Sequence, residues 1–249
     1  MLFAGKCSKA DAETERRGMP VLIKICGLST VAALDAALAA GADFVGFVFF
    51  PPSPRHIGFA AARALGARVE GRARKVAVSV DASDELLKTG IAALEPDLLQ
   101  LHGRETPERV AVIRSRFGIP VMKAIPVTER ADLAQVHLFA KVSDRIMFDA
   151  RAPRRATRPG GHGLAFDWRL LQNLDPGVPF MLSGGLNPGN VAEALRITGA
   201  DALDVSSGVE RAPGEKDAEM IGAFIRGARA ADAALSGAPT PRAATARSG

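Results

Sequence analysis

Short apolar runs alternate along most of the chain with longer segments whose apolar positions recur at helical spacing. The runs at 21–26, 43–49, 75–80, 97–101, 121–125, 145–149, 179–183 and 201–205 are continuous, as in strands buried on both faces of a parallel sheet. Helical segments are predicted between and after them at 29–40, 59–69, 83–94, 107–117, 130–140, 167–174, 188–197 and 217–230. Ser29 or Thr30 and Ser83 stand where N-caps belong, Pro107 at a first helical position, and Gly41 just past a helix end. Strand–helix pairs repeated in this way predict an α/β fold, a single (β/α)8 TIM barrel with eight parallel strands. A doubly wound open sheet is the competing architecture. It carries its glycine fingerprint after the first strand, whereas the glycine-rich turns here follow the seventh and eighth runs.

The pattern stops at both ends. Residues 1–18 are polar, charged and without periodicity and read as a flexible arm, with Met19-Pro20 an alternative natural start. Residues 233–249, rich in Ala, Pro, Gly, Ser and Arg, read as a disordered tail. The barrel domain is therefore expected over 19–232. A length of 249 residues suits one such barrel. Aromatic residues are 5% with no Tyr, so the core must be built from Ala, Val, Leu and Ile.

No apolar run approaches the roughly 20 residues that cross a bilayer, and the start shows no secretory signal. Two cysteines, Cys7 and Cys26, do not make a disulfide framework. A cytoplasmic protein without a membrane partner is expected, as monomer or homodimer. The net charge of +5 is spread along the chain, apart from a cluster at Arg151, Arg154, Arg155 and Arg158. Without aromatic interleaving or a recognisable module, it does not point to nucleic acid. Beside a site, such a cluster would either be a solvated loop or steer a polyanionic small substrate.

Strand ends carry the candidate chemistry, because in a barrel they open on the face where active sites form. Lys24-Ile25-Cys26-Gly27 closes the first run, and Phe148-Asp149 closes the sixth. Cys26 is either a small buried hydrophobe or a base. Lys24, two residues before it and on the same side of the strand, would favour the thiolate. Asp149 either caps the following loop or serves as an acid kept partly protonated by desolvation. Ser183-Gly184-Gly185 and Ser206-Ser207-Gly208 follow the seventh and eighth strands, where barrels often cradle phosphate. Arg55, in a loop stiffened by Pro51, Pro52 and Pro54, could hold a carboxylate through two hydrogen bonds. Lys24, His102 and Asp204 are placed with these residues in the substrate pocket. His56 and His162 read as loop residues, and no His/Cys/Asp spacing suits a metal.

Seven motifs in one order carry a resemblance. They are Lys24-Ile25-Cys26-Gly27; Gly46-Phe47-Val48-Phe49 with Ser53-Pro54-Arg55; Gln100-Leu101-His102-Gly103; Phe148-Asp149; Gly160-Gly161-His162-Gly163 with Phe166-Asp167-Trp168; Leu182-Ser183-Gly184-Gly185-Leu186; and Asp204-Val205-Ser206-Ser207-Gly208-Val209-Glu210. Over about residues 21–230 the chain resembles the phosphoribosylanthranilate isomerases of tryptophan biosynthesis. The resemblance implies an Amadori rearrangement without cofactor or metal. Asp149 would be the general acid and Cys26 the general base. Arg55 would hold the anthranilate carboxylate, and the loops at Gly184/Gly185 and Ser206/Ser207/Gly208 the phosphate. Phe50, Pro52 and Asp81 depart from the family's usual residues at the pocket edge. A histidine-pathway ketol isomerase would have Asp at the position of Cys26, and an indole-forming synthase would need a Lys/Glu pattern that is absent. A phosphate-binding barrel without catalysis would bind ligand but not turn it over.

Overall fold

The protein is described here as a computed structural model covering residues 20–151, 159–161 and 163–237. The arm, Cys7, Arg154, Arg155, Arg158, His162 and the tail beyond Gly237 lie outside the described residues. Eight parallel strands close into a barrel in sequential order. They are β1 (Leu22–Cys26), β2 (Phe44–Phe49), β3 (Arg74–Ser79), β4 (Leu98–Leu101), β5 (Val121–Val127), β6 (Arg145–Ala150), β7 (Phe180–Leu182) and β8 (Ala202–Val205). The helices are α1 (Val31–Ala39), α2 (Phe59–Arg68), α3 (Asp84–Leu94), α4 (Pro107–Phe117), α5 (Val136–Ala140), α6 (Val191–Thr198) and α7 (Ala218–Ser236).

The strands are apolar on both faces because two cores flank them. Alternate positions such as Phe44, Val76, Val78, Met122, Met147 and Met181 fill the barrel interior, while Ile23, Val45, Phe47, Leu99, Ile146 and Leu203 pack outward against the helices. Every residue of β2 is buried. Thr30 caps α1, Ser83 caps α3, and Thr106 caps α4 with Pro107 at its start. Each capping side chain takes one of the N–H groups that a helix start leaves unpaired.

Three elements differ from the expected pattern. The segment at 130–140 begins as a 3-10 helix, Arg130–Gln135, and only then becomes α5. Glu129 and Asp132 form a reciprocal capping box there that tightens the first turns. Between β6 and β7 there is no α-helix among the described residues, only the 3-10 turn Trp168–Leu171. Helix α7 runs on to Ser236, into the segment expected to be disordered, and stops at Gly237 in the left-handed conformation. Between β8 and α7 the chain inserts a small antiparallel hairpin, β9 (Glu210–Ala212) and β10 (Glu215–Lys216), which reaches back to the barrel mouth. No helix among the described residues is long and apolar enough to cross a membrane.

Candidate active site

The C-terminal ends of the strands line one pocket. Cys26 from β1, His102 after β4, Asp149 from β6, Ser183, Gly184 and Gly185 after β7, and Asp204, Ser206 and Ser207 at and after β8 all face it, with Arg55 from the loop after β2. The wall between them is apolar, from Val48, Phe50, Val78, Val80 and Leu164. Both candidate proton-transfer groups, the thiol and the carboxyl, thus open on a single cavity.

Beneath the thiol lies a buried ion pair. Lys24 and Asp204 are directly opposite in the β1–β8 register, and Lys24 Nζ meets Asp204 Oδ1 at 2.7 Å with the lysine fully buried. Ser183 Oγ donates to the second oxygen, Asp204 Oδ2, at 2.9 Å. Gly46, opposite Cys26 in β2, makes room for this cluster. A Cβ there would come within 3.1 Å of both Cys26 Sγ and Lys24 Nζ. Lys24 is therefore a floor residue that cannot line the pocket, a correction to its expected place among the substrate contacts. Burial pulls its pKa down, but the charges and hydrogen bonds of Asp204 and Cys26 outweigh that, so it stays a firmly protonated ammonium.

Lys24 draws Cys26 toward the thiolate, as its charge leads one to expect, but it does not prevail. Burial pushes the thiol up and, with help from the Asp204 charge, prevails over Lys24 and Lys216, so Cys26 lies above its ordinary range.

Asp149 is held from two sides. His102 Nε2 lies 3.0 Å from its Oδ2, and the Ala150 N–H donates to Oδ1 at 2.9 Å. Behind His102, the Gln100 amide nitrogen is 2.8 Å from Nδ1.

Arg55 uses its two-pronged grip on a residue of the protein. Its Nε and Nη2 donate to Glu210 Oε1 and Oε2, both at 2.7 Å, and Nη2 also reaches the Gly161 carbonyl at 3.4 Å. Glu210 is shared. Lys216 Nζ donates to its Oε1 at 2.6 Å and to the Ser206 carbonyl at 2.9 Å, and Ser206 Oγ donates to the Cys26 carbonyl at 3.2 Å. Burial would raise the Glu210 pKa, but Arg55 and Lys216 hold the carboxyl below its usual range. Burial pulls Lys216 down despite its contact with Glu210. Glu210 and Lys216 were not singled out from sequence. Their signal is weak: Glu210 ends the motif after β8, and Lys216 stands six residues further on, beyond Arg211 and Glu215.

Backbone approach explains the loop glycines. Gly184 and Gly185 have φ of +86° and +68°, and a Cβ on them would strike the backbone N of Ala150 and of Ala165 at 2.4 and 2.5 Å. Gly208 does not line the pocket. A Cβ there would lie 1.8 Å from the Leu186 carbonyl oxygen, so its role is to let the β8 loop pack against the β7 loop. Arg151 pairs with Asp132 at the mouth's edge, and His56 is exposed. No cluster of His, Cys, Asp or Glu suited to a metal occurs among the described residues.

A closed (β/α)8 barrel with a thiol, a carboxyl and two glycine loops at one mouth is the architecture of barrels that handle phosphorylated sugars. The profile of the N-(5'phosphoribosyl)anthranilate (PRA) isomerase family matches residues 23–227, and the chain belongs to that family. It is 63% identical over 217 residues to N-(5'-phosphoribosyl)anthranilate isomerase of Nitrobacter winogradskyi, covering 87% of this chain and 96% of the relative. The crystal structure of phosphoribosyl anthranilate isomerase from Thermotoga maritima superposes with a TM-score of 0.76 at 35% identity, covering 84% of this chain and 98% of that one. A second isomerase structure, bound to reduced 1-(o-carboxyphenylamino)-1-deoxyribulose 5-phosphate, gives a TM-score of 0.73 at 33% identity, with the same coverage.

Proposed function

We propose that this chain isomerises N-(5-phospho-β-D-ribosyl)anthranilate to 1-(2-carboxyphenylamino)-1-deoxyribulose 5-phosphate, with Asp149 as general acid and Cys26 as general base. Asp149 gives a proton to the furanose ring oxygen while the aniline nitrogen pushes its lone pair toward C1, breaking the C1–O bond and forming an iminium. Cys26, as thiolate, takes the proton from C2, and its electrons neutralise the iminium to give an enolamine. That species becomes the ketone as C1 gains a proton. No electron acceptor is needed, because the oxidation at C2 is matched by the reduction at C1. The observation that carries this reading is that the thiol and the carboxyl face one cavity from well-separated strands, β1 and β6.

The other pocket residues fit the ends of the substrate. Backbone N–H groups of Gly184, Gly185, Ser206 and Ser207 would receive the phosphate, with the glycines allowing the close approach. Arg55, held rigid by Glu210, would meet the substrate carboxylate with its remaining edge, which faces Gly161. The apolar wall of Val48, Phe50 and Leu164 suits the aromatic ring. The reaction is tested by generating the labile substrate in situ and following loss of its fluorescence on addition of the protein. Turnover without added metal or cofactor is expected. Tight binding of a product analogue without turnover would instead support a purely binding barrel.

A further inference from the structure

Gln100 is a polar side chain on the inner face of β4, beside Val78 and Met122 in the register and against Met147. It is 1% exposed, and its amide oxygen has no hydrogen-bond partner among the described residues. Burying an amide so poorly satisfied costs free energy. Its nitrogen, by contrast, has two contacts: His102 Nδ1 at 2.8 Å and the Met147 sulfur at 3.2 Å.

The direction of this amide decides where the imidazole keeps its proton. An amide nitrogen can only donate, so Nδ1 must accept, and the neutral ring then carries its hydrogen on Nε2. The Met147 sulfur is a weak acceptor. It favours the same orientation, since the reversed amide would set oxygen against sulfur. Nε2 in turn stands 3.0 Å from Asp149 Oδ2.

We propose that Gln100 is a positioning residue that locks His102 in the Nε2–H tautomer and makes the neutral ring a standing donor to Asp149. The proposal rests on the reading of Asp149 as general acid and deepens it. His102 then donates to Oδ2 and the Ala150 N–H to Oδ1, so both oxygens of Asp149 have a fixed donor. When the acid gives up its proton, the new carboxylate is already met by both. Protonating Nδ1 would turn both ring nitrogens into donors and break the Gln100 contact.

Nitrogen-15 NMR of the full chain, labelled at histidine, reads the tautomer directly, with His102 assigned by its loss in His102→Gln. At neutral pH the wild-type protein is expected to show an unprotonated Nδ1 and a protonated Nε2. Gln100→Glu, whose carboxylate accepts where the amide donated, is expected to move a proton onto Nδ1. Gln100→Leu is expected to mix the tautomers. It should also lower kcat by roughly tenfold with KM little changed, less than the hundredfold or more that a positioned general acid supplies. A wild-type Nδ1–H tautomer, or an unchanged His102 spectrum in Gln100→Leu, overturns the proposal. Full turnover in Asp149→Asn would remove the acid reading but leave the tautomer as measured, so the two failures are distinguishable.

Discussion

Lys24 and Asp204 stand opposite each other on β1 and β8, 2.7 Å apart in the floor of the pocket, with Cys26 the next residue on the same face of β1. The lysine side chain is wholly buried and that of Asp204 nearly so. Removing one partner of such a pair strands a buried charge. Lys24→Met is expected to cost about 3–5 kcal/mol, and Lys24→Met with Asp204→Asn much less. Urea unfolding of the two variants and the wild type checks this. A single variant as stable as the wild type would mean that the pair is not closed in solution.

The raised thiol of Cys26 sets the direction of the pH dependence. Burial keeps the thiol neutral, so the thiolate fraction is small near neutrality and grows as pH rises. If this thiolate is the base, kcat/KM climbs with pH from neutrality into the alkaline range. Alkylation by iodoacetamide, measured in a Cys7→Ser background, should climb along the same curve. A reaction rate that is flat across that range while alkylation rises would separate Cys26 from the chemistry.

Glu210 joins Arg55 to Lys216, and its carboxyl titrates below the usual range because those two cations prevail over burial. A depressed folded-state pKa means the contribution to stability is present above the unfolded-state value and lost as pH falls through the folded one. The stability gap between wild type and Glu210→Gln should therefore be widest near neutral pH and close on acidification. Denaturation midpoints of both proteins across the acid range measure it. A gap that widens toward low pH would contradict the assignment.

The barrel and its two proton-transfer candidates were legible in the sequence for one physical reason. Parallel strands buried on both faces read as unbroken apolar runs, and a polar residue ending such a run must sit at a mouth. Cys26 and Asp149 stand out on that basis. Glu210 and Lys216 do not, because their meaning comes from Arg55, 155 positions away for Glu210, and no local pattern encodes that meeting. The inward pull of Lys24 was legible, but its size relative to burial was not, since desolvation of the thiol depends on Gly46 and the packing around it. The sequence around Arg55 suits a free carboxylate clamp, but a carboxylate of the same chain, Glu210, occupies its fork.

Gly208 supports the loops after β7 and β8 without lining the pocket. Its missing Cβ lets the loop after β8 lie on the Leu186 carbonyl, and Gly208→Ala must push the two loops apart. Displacement of about an ångström at a binding loop can cost on the order of a hundredfold in rate. Gly208→Ala is expected to lose kcat/KM and affinity for a phosphate-bearing product analogue together. Gly58→Ala, where φ is not positive and nothing lies within 4 Å of the added atom, is the control for losing a glycine outside the pocket.

Single-turnover rates with substrate deuterated at C2, for the wild type, Cys26→Ser and Asp149→Asn, test the acid–base assignment most directly. The wild type should release the C2 label. Each variant should be slower by more than about a hundredfold, the usual scale of a positioned acid or base, while still binding a reduced product analogue. A variant that binds the analogue and keeps the wild-type rate would contradict the role given to that residue.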